Sequence, residues 1–177
     1  MKTQKKRSNK ISRPPEVGIV MGSDSDLEIM AETASVLKEF GIPFEMTVAS
    51  AHRSPGKAAR FASSAFKRGI KVIIAGAGHA AHLAGAMAAH TRLPVIGVPI
   101  DSSVLKGLDA LLSTVQMPPG VPVATMAIGK SGARNAGIFA AQILALSDPG
   151  IGKRLDKHKK EMALQVSQKA RKLKDYK

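Results

Sequence analysis

The chain has 177 residues, no cysteine, and 27 Lys plus Arg against 13 Asp plus Glu, a formal net charge of +14. That length suits one α/β domain with its own core, and the lack of cysteine excludes disulfide frameworks, thiolate nucleophiles and Cys-bearing metal sites. No apolar run approaches the ~18 residues of a membrane span, and the first 15 residues lack the apolar stretch of a secretory signal, so the expectation is a cytoplasmic protein without a membrane partner.

Residues 1–13 carry six bases and no acid, and residues 1–15 read as a basic, disordered segment. Residues 17–22 (VGIVMG) are a short apolar, β-branched run. The following DSDLEIMAETASVLKEFG has apolar positions at helical spacing, an acidic start and a closing Gly41, which predicts strand then helix. Pro43 opens a weaker strand over 44–50. Ser54 and Pro55 begin the next helix and Gly69 closes it. Residues 71–78 (KVIIAGAG) are apolar without alternation, the pattern of a parallel strand covered on both faces. An Ala-rich segment over 80–91, a strand over 94–99, a helix over about 102–114, a strand over 121–129 and a helix over 131–147 complete five βα units. This order specifies a flavodoxin-like three-layer α/β sandwich with a five-stranded parallel sheet, in one domain over 16–150.

Residues 151–177 hold ten bases against Asp156, Glu161 and Asp175, with Ile151, Leu155, Met162, Leu164, Val166 and Leu173 among them. They read as a basic amphipathic C-terminal helix and tail, lying on the body or on a neighbouring subunit. Residues 14–150 keep the remaining 11 bases and 10 acids, so the body is close to neutral. A high net charge raises a nucleic-acid partner, because Lys and Arg release counterions from phosphates. Here the charge lies in the termini, Tyr176 is the single Tyr, there is no Trp, and no nucleic-acid-binding motif is present. Nucleic-acid binding is therefore the weaker reading, and solvated charge runs are its bland alternative.

In an open parallel sheet, ligands bind at the carboxyl ends of the strands. Three polar or Gly-rich segments fall there: Gly22-Ser23-Asp24-Ser25-Asp26, Ser50-Ala51-His52-Arg53-Ser54, and Gly76-Ala77-Gly78-His79-Ala80-Ala81-His82. The first offers backbone N–H groups and hydroxyls to a phosphate, with Arg53 as a bidentate partner and Asp26 as an acceptor for ribose hydroxyls. It also reads as a plain helix N-cap. It is neither a P-loop nor GxGxxG, which favours a mononucleotide over a triphosphate or dinucleotide. His52 is the candidate general acid/base, since imidazole titrates near neutrality; the bland alternative is a surface histidine. His79 and His82, at i and i+3, raise a metal pair, but no carboxylate accompanies them and no metal is assigned. His90 and His158 read as helix-surface residues. The small residues of the third loop allow close backbone approach to a ligand, or simply tight helix packing.

These segments, with GVPI at 97–100 and QMPPGVPVATMAIGKSGARNAG at 116–137, resemble the N5-carboxyaminoimidazole ribonucleotide mutase family, also named the catalytic subunit of phosphoribosylaminoimidazole carboxylase. The likeness runs over about residues 16–160, with the motifs in the same order. It implies an enzyme of purine biosynthesis, a homo-octamer with active sites between subunits, moving a carboxylate from N5 to C4 of an aminoimidazole ribonucleotide without a cofactor. The resemblance assigns phosphate and ribose contacts to Ser23, Asp26 and Arg53, supported by Ser25 and Ser50. It assigns the catalytic histidine to His52, a motif histidine to His82, and a CO2-retaining pocket to the loop around Gly78. Two positions depart from the pattern: His79, where many members have Gly, and Ala84, where Pro is usual. A related branch of the family uses free CO2 and the unmodified aminoimidazole ribonucleotide.

Overall fold

A computed structural model describes residues 13–173. Five strands, β1 (Val17–Met21), β2 (Phe44–Val48), β3 (Val72–Gly78), β4 (Val95–Ile100) and β5 (Ala124–Thr125), alternate with α1 (Leu27–Glu39), α2 (Pro55–Ala65), α3 (Leu83–Ala89), α4 (Leu108–Val115) and α5 (Gly129–Ala145). A sixth helix, α6 (Pro149–Leu173), follows. Every strand pairing is parallel and the sheet order is β2-β1-β3-β4-β5. The chain steps from β1 to one side and then to the other, so the order reverses between β1 and β3. A flavodoxin-like sheet of this kind opens a crevice at the carboxyl ends of those two strands.

Alternate residues of the strands feed two cores. Val17, Ile19, Met21, Val72, Ile74, Ile96, Val98 and Ile100 join a core with residues of α1, α5 and α6. Val20, Ile73, Ala75 and Val95 join the other with Ala58, Ala62 and Ala65 of α2 and Leu83, Ala84 and Met87 of α3. Both faces of the sheet are covered, which is why β1, β3 and β4 read as unbroken apolar runs. Small residues set the spacing between α1 and α5. A Cβ on Gly137 would come within 2.9 Å of Val36 Cβ, and the buried Thr33 hydroxyl donates to the Ala133 carbonyl at 2.7 Å. Gly41 follows α1 and Gly69 closes the 3-10 turn (Phe66–Arg68) after α2, with φ of +62° and +95°, the left-handed conformation that glycine adopts without steric cost.

Three elements differ most from the sequence expectation. The strand over 121–129 shrinks to Ala124–Thr125, an edge strand paired only through Ile96↔Ala124 and Gly97↔Thr125; Pro118, Pro119 and Pro122 have no N–H to give to a ladder. The helix over 102–114 begins only at Leu108, because Lys106 and Gly107 both have positive φ (50° and 83°) and residues 101–107 form a loop. The Ala-rich segment forms a helix only from Leu83 to Ala89, after a loop in which His79 also has positive φ.

The C-terminal helix lies on the body through its first half. Ile151 and Leu155 are buried in the α1–α5 core, and Arg154 Nε donates to the Phe40 carbonyl at 2.8 Å. His158 is a packing residue rather than a surface one. Its ring meets Phe40 edge-on at 5.4 Å between centroids and its Nδ1 lies 3.3 Å from Glu39 Oε1. Its exposure could not be judged from helical spacing alone, since that depends on where α1 ends. The readings made for residues 1–12 and 174–177 lie outside the described residues.

Candidate active site

The loop after β1 is tied to β3 by the Gly22 N–H, which donates to the Gly76 carbonyl at 3.1 Å. Ser23 caps the short 3-10 turn that follows: its hydroxyl oxygen accepts from the Ser25 N–H at 3.4 Å, while Asp26 Oδ2 accepts from the Ser23 N–H at 3.0 Å. The N-cap reading of GSDSD is thus realised, and it places the same groups at the mouth of the crevice. Asp26 is only 5% exposed. Burial pushes its carboxyl above the usual carboxylate range; the Ser23 and Gly22 N–H groups and the Arg53 charge pull it back in part, and Asp24 adds a smaller push upward.

The loop after β2 holds itself together through serines. Ser50 donates its N–H to Ser54 Oγ at 3.0 Å, and its own hydroxyl accepts the Arg53 N–H at 3.1 Å. This turn sends the Arg53 side chain across to the first loop, where Nη2 donates to the Gly22 carbonyl at 3.3 Å. A guanidinium has five N–H donors in a planar fork, so this anchor leaves capacity for an anion.

His52, on the same turn, meets the third loop. Its Nε2 lies 2.9 Å from His82 Nδ1, and the two rings stand nearly perpendicular at 80°, with centroids 5.0 Å apart. One of the two facing nitrogens must carry the proton and the other accept it, so the pair forms a ready path for proton movement. His79 Nδ1 lies 2.9 Å from Ser102 Oγ, on the loop after β4. A Cβ on Gly78 would overlap the Ser102 hydroxyl, so the missing side chain at 78 makes room for Ser102.

These loops enclose a cleft of about 360 Å³, a size that suits a small ligand. Ser23, Ser25, Asp26, Ser50, His52, Arg53, Gly78 and His82, all singled out in the sequence, line it together. Ser102 also lines it and was missed. Its signal was present, for it follows a strand as the other site residues do, but the expected helix start at 102 hid it.

The fold and the cleft define a flavodoxin-like α/β protein with a mononucleotide-sized site built on its strand ends. Residues 16–165 match the AIR carboxylase family, and the chain belongs to that family. It is 54% identical over 164 residues, 93% of this chain and 92% of the relative, to the N5-carboxyaminoimidazole ribonucleotide mutase of Pyrococcus horikoshii. It is 57% identical over 145 residues to the Bacillus subtilis protein of the same name, covering 82% of this chain and 90% of that one. Among solved structures, Treponema denticola PurE superposes with a TM-score of 0.81 at 29% identity, over 90% of this chain and 99% of that one.

Proposed function

We propose that this protein converts N5-carboxyaminoimidazole ribonucleotide into 4-carboxy-5-aminoimidazole ribonucleotide, a step of de novo purine biosynthesis. The observation that carries the reading is the meeting, in one cleft, of groups suited to a phosphate and a ribose (Ser23, Arg53 and Asp26) and a proton-moving pair (His52 with His82). Family membership and near full-length relatives named for this reaction support it.

In this reading Arg53 and the Ser23 and Ser25 hydroxyls take the phosphate, Asp26 accepts from ribose hydroxyls, and Ser50 fixes the Arg53 turn. The N5 carbamate releases CO2 as N5 gains a proton. C4 then attacks the retained CO2, and the C4 proton leaves. His52 gives the first proton and recovers the second, so the reaction is a net isomerisation. The carbamate is already activated, so the chemistry calls for no metal or cofactor. Confinement is the main physical requirement, because CO2 that escapes ends the reaction. The small residues around Gly78 form the wall where CO2 is held. The catalytic body is residues 16–150, acting in the cytoplasm as a homo-octamer. The exposed apolar side chains Val104, Leu105, Leu108, Leu112 and Val115 support an assembly.

The test mixes purified protein with N5-carboxyaminoimidazole ribonucleotide and follows the C4-carboxylated product. Wild type turns over, and His52→Asn loses about 10²- to 10⁴-fold, the usual worth of a positioned acid/base. No turnover by wild type, or full turnover by His52→Asn, overturns the reading. Comparable turnover of aminoimidazole ribonucleotide with bicarbonate and no ATP moves the assignment to the CO2-using branch.

A further inference from the structure

His79 sits at φ +53°, in the left-handed region where glycine is the unstrained residue. A residue with a Cβ persists there only where its surroundings hold it. The holder is Ser102, whose Oγ lies 2.9 Å from His79 Nδ1 in the space left by the missing side chain of Gly78. The loop after β4 thus reaches over the end of β3 to fix this one ring. Asp109 of α4 adds a negative charge nearby, its carboxyl held below the usual range chiefly by the Ser103 hydroxyl.

Sheet order gives the cleft a direction. Along the carboxyl edge come Arg53 after β2, Ser23 and Asp26 after β1, His79 after β3, and Ser102 after β4. The groups assigned to phosphate and ribose fill one end and the His79–Ser102 pair the other. A nucleotide with its phosphate at Arg53 directs its base toward that second end. A Ser102 hydroxyl donating to Nδ1 leaves the ring proton on Nε2, a donor suited to a second anion.

Resting on the nucleotide reading above, we propose that His79, oriented by Ser102, is a specificity-determining residue that donates to the C4 carboxylate of 4-carboxy-5-aminoimidazole ribonucleotide. It lets the site distinguish carboxylated from uncarboxylated aminoimidazole ribonucleotide. The test is calorimetric titration of wild type, His79→Gly, His79→Asn and Ser102→Ala with 4-carboxy-5-aminoimidazole ribonucleotide and with aminoimidazole ribonucleotide. His79→Gly relieves the backbone strain, so its thermal midpoint equals or exceeds that of wild type. It binds the carboxylated nucleotide about tenfold more weakly, the loss of one charge-assisted hydrogen bond, and the uncarboxylated one as wild type does. His79→Asn, which tolerates the same φ and keeps a donor, retains part of the preference, and Ser102→Ala loses part of it. A His79→Gly protein that weakens both nucleotides equally, or neither, overturns the proposal. A wild type that binds neither nucleotide overturns the nucleotide reading instead.

Discussion

Asp26 carries a conflict between stability and binding. It caps the Ser23 N–H, yet it is buried, and its carboxyl is raised above the usual range chiefly by that burial. A carboxyl raised on folding makes its ionised form a cost to the native state. That cost is present at neutral pH and disappears as the pH falls through the raised folded value. Asp26→Asn removes the charge and keeps an oxygen to accept the Ser23 N–H. In urea melts the variant is expected to match or exceed wild type at pH 7, with the gap closing as the pH falls. Its affinity for the nucleotide should nevertheless drop about 10- to 100-fold, the worth of hydrogen bonds to a charged acceptor at ~1.5–3 kcal/mol. A variant less stable than wild type at pH 7 would contradict this account of the buried carboxylate. Single residues of the site were readable because each loop follows a strand. The His52–His82 contact was not, since it joins residues 30 apart in the chain whose proximity depends on β1 lying between β2 and β3.

Helix α6 is two different objects joined end to end. Ile151 and Leu155 enter the α1–α5 core, whereas Met162, Leu164 and Val166 are exposed. Leu155→Ala is expected to cost about 2–5 kcal/mol, as for other buried large-to-small changes. Leu164→Ala and Val166→Ala should stay within about 0.5 kcal/mol, as surface changes do. Denaturant midpoints at constant slope measure both, and equal losses at Leu155 and Leu164 would show that the distal half also packs in solution. Helical spacing in the sequence marked apolar positions along the whole segment. It could not tell the docked half from the projecting half, because that depends on where the surface of α1 and α5 ends.

For the molecule as a whole, five of the exposed apolar side chains, Val104, Leu105, Leu108, Leu112 and Val115, lie together in chain order on α4 and the loop before it. Leu108, Leu112 and Val115 follow helical i, i+4, i+7 spacing and Val104 is 97% exposed. If subunits assemble through this face, light scattering gives a mass several times that of one chain, and the pair Leu108→Glu and Leu112→Glu lowers it. A wild type that runs as a monomer at micromolar concentration overturns the proposed assembly. The neighbouring loop carries Ser102, so the same pair of substitutions should also weaken nucleotide binding.

The amino-acid sequence by itself determined the parallel α/β architecture, because five apolar runs separated by helical patterns admit few other arrangements. It also determined that the three polar segments meet, since loops after parallel strands must lie on one edge of such a sheet. Tertiary structure alone decided the length of β5, the late start of α4, the packing of His158 against Phe40 and the pairings of His52 with His82 and His79 with Ser102. Local patterns reflect periodicity and backbone preference within a few turns. Edge pairing, left-handed residues such as Lys106 and Gly107, and contacts between separate strand ends are settled by the neighbours that folding brings together.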